Sequence, residues 1–209
     1  MKAEKLDIRH CDCMALMAEV SNNYFDLAIV DPPYGIGNRL TKGGGWAKER
    51  KDSSVAWDIK PAPAFFKELD RVSRNWIIWG GNYFADMLPP CRQVLVWVKP
   101  FLSGMTTMSD CEIALASMDG VSRTIALNHD GGDRSHPTQK PIKLYDWLLS
   151  KYAKPGQRIL DTHLGSGSHA IAAHYAGVHL TACELNKDYY NVACKRIERE
   201  TAQLDMFAV

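Results

Sequence analysis

The chain has 209 residues, 46% of them hydrophobic and 23% charged, with 25 Lys and Arg against 24 Asp and Glu for a net charge of +1. That length suits one domain with a full core, and the composition excludes a disordered chain, a collagen-like repeat and a disulfide miniprotein. Near-neutrality argues against a strongly basic nucleic-acid binder unless positive charge is concentrated locally.

The opening MKAEKLDIRH lacks the apolar core of an export signal, and no run reaches the roughly 18 apolar residues of a membrane span. The six cysteines show no paired CxxC units, so the expectation is a cytoplasmic protein with reduced, mainly buried thiols and no metal. Leu27-Ala28-Ile29-Val30 is a short apolar run stopped by Asp31-Pro32-Pro33, because two prolines cannot continue a central strand. Gly35 to Trp57 has no periodicity, and a loop of about 20 residues inside a compact domain is functional or disordered. Residues 35–60 hold six Lys and Arg against three acids, the first of two basic islands.

Pro61 to Val72 has helical spacing of Phe65, Phe66, Leu69 and Val72. Apolar runs at Trp76–Trp79, Val94–Val98, Glu112–Ala116, Arg158–Leu160 and Val178–Cys183 are continuous rather than alternating, which suits strands covered on both faces. Helical patterns fall at Ile142–Tyr152, Ser168–Ala176 and from an Asn186 cap to about Glu200. Strands alternating with helices predict an α/β fold with a mostly parallel sheet. The second basic island, 121–154, again holds six Lys and Arg against three acids.

Two motifs carry chemistry. In the first, the strand ending at Asp161 feeds Gly165-Ser166-Gly167-Ser168 and a helix, with Glu184 closing the next strand. A glycine turn at a helix N-terminus lets a ligand approach the backbone, and an acid about 20 residues on can accept ribose hydroxyls. The spacing also fits a dinucleotide enzyme. Asp161, placed to meet a cationic amino group that NAD lacks, favours an aminoacyl-bearing nucleoside cofactor. Few residues follow Glu184, so the remaining strands must come from earlier in the chain, a permuted order.

The second motif is Asp31-Pro32-Pro33-Tyr34, at the carboxyl end of a strand where open α/β sheets place ligands. The lone pair of a base's exocyclic amine is delocalised into the ring. A carboxylate from Asp31 and the Pro32 carbonyl, held rigid by Pro33, can accept its two N–H bonds and free that lone pair. Tyr34 offers a face for stacking the base.

Asp-Pro-Pro-Tyr followed by Asp-x-x-x-Gly-Ser-Gly resembles the S-adenosylmethionine-dependent amino-methyltransferases of DNA, and the motif order resembles their β class. The likeness extends through Gly80-Gly81-Asn82-Tyr83, Val96-Trp97-Val98-Lys99-Pro100 and His136-Pro137-Thr138-Gln139-Lys140-Pro141. It implies a single-domain Rossmann-like methyltransferase with a mostly parallel seven-stranded sheet and circularly permuted motif order, occupying 1–201. It implies S-adenosylmethionine bound by Asp12, Thr138, Lys140, Asp161, Gly165, Ser166, Gly167, Ser168 and Glu184. An acid at position 31 resembles the adenine-N6 enzymes, whose target base is flipped out of double-stranded DNA; cytosine-N4 members usually carry Ser there. A cytosine-N4 enzyme and a non-catalytic DNA-binding relative stand as alternatives.

DNA contacts are expected from Arg39, Lys42, Lys48, Arg50 and Lys51 in the 35–60 loop and from Arg123 and Arg134 in 117–135. The latter stretch is short beside the family's usual recognition segment and implies a short or relaxed target site. The tail 202–209 contains Gln203-Leu204-Asp205-Met206-Phe207, which resembles peptides that bind the bacterial sliding clamp. A homodimer is a further candidate arrangement for holding DNA.

Overall fold

The computed structural model describes residues 1–36, 58–100, 109–128 and 139–202. In chain order the elements are β1 (Lys2–Ala3), β2 (Leu6–His10), α1 (Cys13–Ala18), β3 (Leu27–Val30), α2 (Pro63–Val72), β4 (Trp76–Trp79), α3 (Gly81–Phe84) and β5 (Gln93–Val98). They continue with β6 (Cys111–Ala116), β7 (Arg123–Ala126), α4 (Ile142–Tyr152), β8 (Arg158–Asp161), α5 (Ser168–Ala176), β9 (His179–Glu184) and α6 (Lys187–Ala202).

One sheet runs β1-β2-β9-β8-β3-β4-β6-β5-β7. Neighbours from β2 to β4 are parallel, β6 is antiparallel to both β4 and β5, and β7 returns to parallel. The described residues thus hold nine strands rather than seven. No apolar run announces β1, β2 or β7: β1 has two residues, β2 alternates buried and partly exposed positions, and every residue of β7 except Ile125 is exposed.

Alternation along the central strands divides the core. Leu27 and Ile29 of β3 and Ile77 and Trp79 of β4 face one side, where Leu144, Leu148, Ile171, Ala193 and Ile197 of α4, α5 and α6 cover them. Ala28, Val30, Trp76 and Ile78 face the other side, under Leu16, Met17, Phe65, Phe66, Leu69 and Phe84 of α1, α2 and α3. Both faces are covered, so these strands need apolar residues at every position.

The helix boundaries follow local chemistry. Pro63 occupies the first turn of α2, where its missing N–H costs nothing. The Asn186 side chain accepts from the Asp188 and Tyr189 N–H groups at 2.9 and 3.1 Å, capping α6 as its sequence predicts. Asp12 does the same for the short α1, accepting from Met14 and Ala15. No described helix is long and apolar enough to cross a membrane.

Candidate active site

The carboxyl ends of β3, β4, β8 and β9 bring together Asp31, Gly80, Asp161 and Glu184, although β5, β6, β7 and α4 lie between the first pair and the second along the chain. β3 and β8 are adjacent and parallel, so the turns beginning at Asp31 and at Thr162 emerge side by side.

Asp31 lies at one end of a chain of paired charges. Tyr34 Oη donates to Asp31 Oδ1 at 2.7 Å, and Lys140 Nζ donates to Asp31 Oδ2 at 2.5 Å. Lys140 also meets Glu112 Oε2 at 3.0 Å, and Lys99 Nζ meets Glu112 Oε1 at 2.5 Å. Both lysines are buried, and their two positive charges match the two carboxylates. Burial pushes the Asp31 carboxyl up, Lys140 opposes that shift and Glu112 reinforces it, leaving the net direction upward. Burial also pushes Glu112 up, but Lys140 and Lys99 outweigh it and hold Glu112 at about 2.

Tyr34 is fixed on several sides. Its ring stacks on Tyr83 with centroids 4.9 Å apart and planes 18° from parallel, and it meets Phe84 edge-on. It lies so close over Gly80 that a Cβ there would stand 2.2 Å from the ring, and Gly80 has φ +69. Position 80 therefore excludes any side chain for two reasons.

At the end of β8, Asp161 turns inward. Its Oδ1 accepts from His163 N at 3.0 Å, and its Oδ2 pairs with His169 Nδ1 at 2.9 Å. The His169 ring stacks on Tyr145 at 4.6 Å, while its Nε2 is buried with no hydrogen-bond partner among the described residues. Ser166 and Ser168 are buried as well; Arg196 of α6 donates to Ser166 O and Ser168 Oγ, both at 2.9 Å. Burial pulls His163 down to about 4, against smaller opposing effects of Asp161 and Asp12.

Gly165 and Glu184 face outward from this frame. Glu184 Oε2 accepts from Gly165 N at 3.0 Å, and Oε1 accepts from Asn186 N at 2.9 Å. Gly165 has φ +55, and a Cβ added there would meet nothing nearer than the His163 carbonyl at 3.9 Å. An open backbone at the head of α5 beside a carboxylate fits the aminoacyl-nucleoside expected from sequence.

The structure therefore groups Asp31, Tyr34 and Lys140 on one side, and Asp161, Gly165, Gly167 and Glu184 on the other. Lys140, expected among the cofactor contacts, is paired with Asp31 and Glu112. Arg123 opens the edge strand β7, four strands from β3, a span of about 19 Å at ordinary strand spacing. Thr138, Arg39, Lys42, Lys48, Arg50, Lys51, Arg134 and 203–207 lie outside the described residues. The sequence reading gave no site role to Glu112, Lys99 or His169. A charged residue within or directly ending an apolar strand is the signal that could have found the first two.

Residues 122–195 match the family model described as DNA methylase. The match supports a DNA methyltransferase. A candidate methylase of Escherichia coli (strain K12), YubD, is 24% identical over 202 residues, covering 89% of this chain and 87% of that protein. Among solved structures, the M1.HpyAVI–SAM complex has a TM-score of 0.62 at 19% identity, covering 92% of this chain and 98% of that one. PvuII DNA methyltransferase, cytosine-N4-specific, has a TM-score of 0.64 at 11% identity, covering 96% and 92%. The chain shares the fold of these solved methyltransferases, of which M1.HpyAVI is described in complex with SAM.

Proposed function

We propose that this methyltransferase transfers a methyl group from S-adenosylmethionine to the N6 amine of adenine flipped out of double-stranded DNA. The observation that carries the reading is the Asp31 carboxylate, set at the end of β3 beside the Gly165 turn, with a rigid Pro32 carbonyl next in sequence. When bound, S-adenosylmethionine supplies an electrophilic methyl on a sulfonium. Asp31 and the Pro32 carbonyl accept the amine's two N–H bonds, giving the nitrogen sp3 character and exposing its lone pair. Asp31 acts as an ionised acceptor; the surplus proton leaves the methylated nitrogen for solvent after transfer. The Tyr34 hydroxyl, committed to Asp31, orients that carboxylate.

Gly165 and Gly167 provide the backbone cradle, Glu184 receives the ribose hydroxyls, and Asp161 acts on the cofactor through the turn that it fixes. The basic loop 35–60 and the short segment 117–135 grip DNA, and the motif order is the permuted β-class one. A cytosine-N4 enzyme is the second reading, favoured by the fold similarity to the PvuII enzyme.

Incubating unmethylated DNA with methyl-labelled S-adenosylmethionine and analysing the nucleosides by mass spectrometry tests the proposal, with Asp31→Ala as control. N6-methyladenine is expected with the native chain only; N4-methylcytosine selects the second reading, and no label from the native chain removes both. A clamp-binding assay with and without 202–209 tests the tail, with equal binding excluding the clamp peptide.

A further inference from the structure

Lys140 stands between two carboxylates. Its ammonium donates to Asp31 at 2.5 Å, meets Glu112 at 3.0 Å and lies 3.4 Å from the Tyr34 hydroxyl. Its side chain is 3% exposed, against 19% for Asp31 and 21% for Glu112, so solvent screens these pairs weakly. The aromatic faces of Tyr34 and Trp79 lie 5.8 and 5.5 Å from the ammonium and add to its confinement. Glu112 is held from its other side by Lys99, itself 4.8 Å from the Trp97 ring.

We propose that Lys140 is a positioning residue for Asp31, and that Glu112 and Lys99 set how much of its positive charge Asp31 receives. The inference rests on the reading of Asp31 as the acceptor of the target amine. Lys140 holds one carboxylate oxygen and the Tyr34 hydroxyl the other, so the lone pairs left over point in fixed directions. Glu112 competes for the same ammonium and keeps Asp31 from being fully neutralised. Lys99 limits that competition by partnering Glu112. Among the described residues, the groups facing Asp31 are Tyr34 from its own turn, Glu112 from β6, Lys140 from the segment before α4 and Tyr145 of α4; Lys99 acts through Glu112, and Tyr83 is stacked on Tyr34.

The arrangement predicts a sign for each substitution. Lys140→Met removes the nearest cation, so Asp31 should ionise at a pH about one unit or more higher. Lys99→Met leaves Glu112 to draw on Lys140 alone, giving a smaller rise. Glu112→Gln removes a neighbouring negative charge and gives Lys140 wholly to Asp31, so ionisation should shift to lower pH. A packing role would not produce shifts of opposite sign.

Carbon-13 NMR of the full chain with labelled aspartate reads Asp31 directly, its signal assigned by its loss in Asp31→Asn, while calorimetry reads S-adenosylmethionine affinity. The expected result is the order Lys140→Met above Lys99→Met above native above Glu112→Gln, with cofactor affinity unchanged. An unmoved Asp31 titration in Lys140→Met, or a tenfold loss of cofactor affinity there without that shift, overturns the proposal. If Lys140→Met does not fold, the opposite signs of Lys99→Met and Glu112→Gln decide, and equal titrations in those two overturn it. Native protein that methylates no DNA but shows the predicted order would remove the adenine reading, and with it the positioning role of Lys140, while the charge coupling of Lys140 to Asp31 would stand.

Discussion

Asp31 and Asp161 close neighbouring parallel strands, and each carboxylate is engaged on both oxygens. Their partners differ. Asp31 is held by the Tyr34 and Lys140 side chains and keeps 19% of its side-chain surface open, whereas Asp161 is locked by the His163 backbone and the buried His169 with 3% open. The same residue type at similar sheet positions thus acquires two uses. In the function proposed above, the partly open carboxylate with side-chain donors accepts from a ligand, and the sealed one shapes the turn that receives a ligand.

The strongest way to break this contrast is to exchange each carboxylate for its amide. Asp31→Asn should lower kcat by about 10²- to 10³-fold with unchanged cofactor affinity, since a developing charge loses its acceptor. Asp161→Asn should instead lower Tm and weaken cofactor binding through the loosened turn. Methylation kinetics, calorimetry and thermal melting check both; a crossed pattern would mean that the roles are reversed.

Next in size is His169→Ala, which leaves Asp161 short of a partner and opens a void beside Tyr145. A loss of about 2–4 kcal/mol is expected from denaturant unfolding. Native-like stability would show that Asp161 is not sealed by this pair.

The two regions also separate by pH. His163, at about 4 folded and 6.5 unfolded, takes up fewer protons in the folded state, so stability falls as pH drops through that window, by on the order of 2 kcal/mol. Glu112, held at about 2 against 4.5, contributes stability that is present above 4.5 and lost as pH falls toward 2. His163→Phe should therefore flatten urea-unfolding free energies between pH 6.5 and 4.5 and leave the loss below 4.5 in place. The smallest effect belongs to Gly167→Ala, about 1–2 kcal/mol by the same measurement, because φ is +82 and the new Cβ would press on Ile197 at 3.0 Å.

Much of the fold is legible in the sequence wherever burial is two-sided. The runs 27–30 and 76–79 are apolar and buried at every position because helices cover both faces, as are Ile159 and Leu160, and each lies within a strand of the sheet. The exposed β7 left no such signal. In the site, Asp31, Gly165 and Glu184 were legible because a strand end, a positive-φ turn and an acid at fixed spacing are local patterns. Glu112, Lys99 and His169 were not, because their roles depend on pairings across the sheet and between elements.

The sequence by itself determined the alternation of strands and helices, the end of β3 at Asp31 and the glycine turn after Asp161, all set by short-range sterics and periodicity. Only the tertiary structure decided which charges meet. It placed Lys140, 109 residues from Asp31, against that carboxylate and bound Glu112 to both lysines. Charge pairing inside a protein depends on distance and burial, and neither is written in the spacing of residues along a chain.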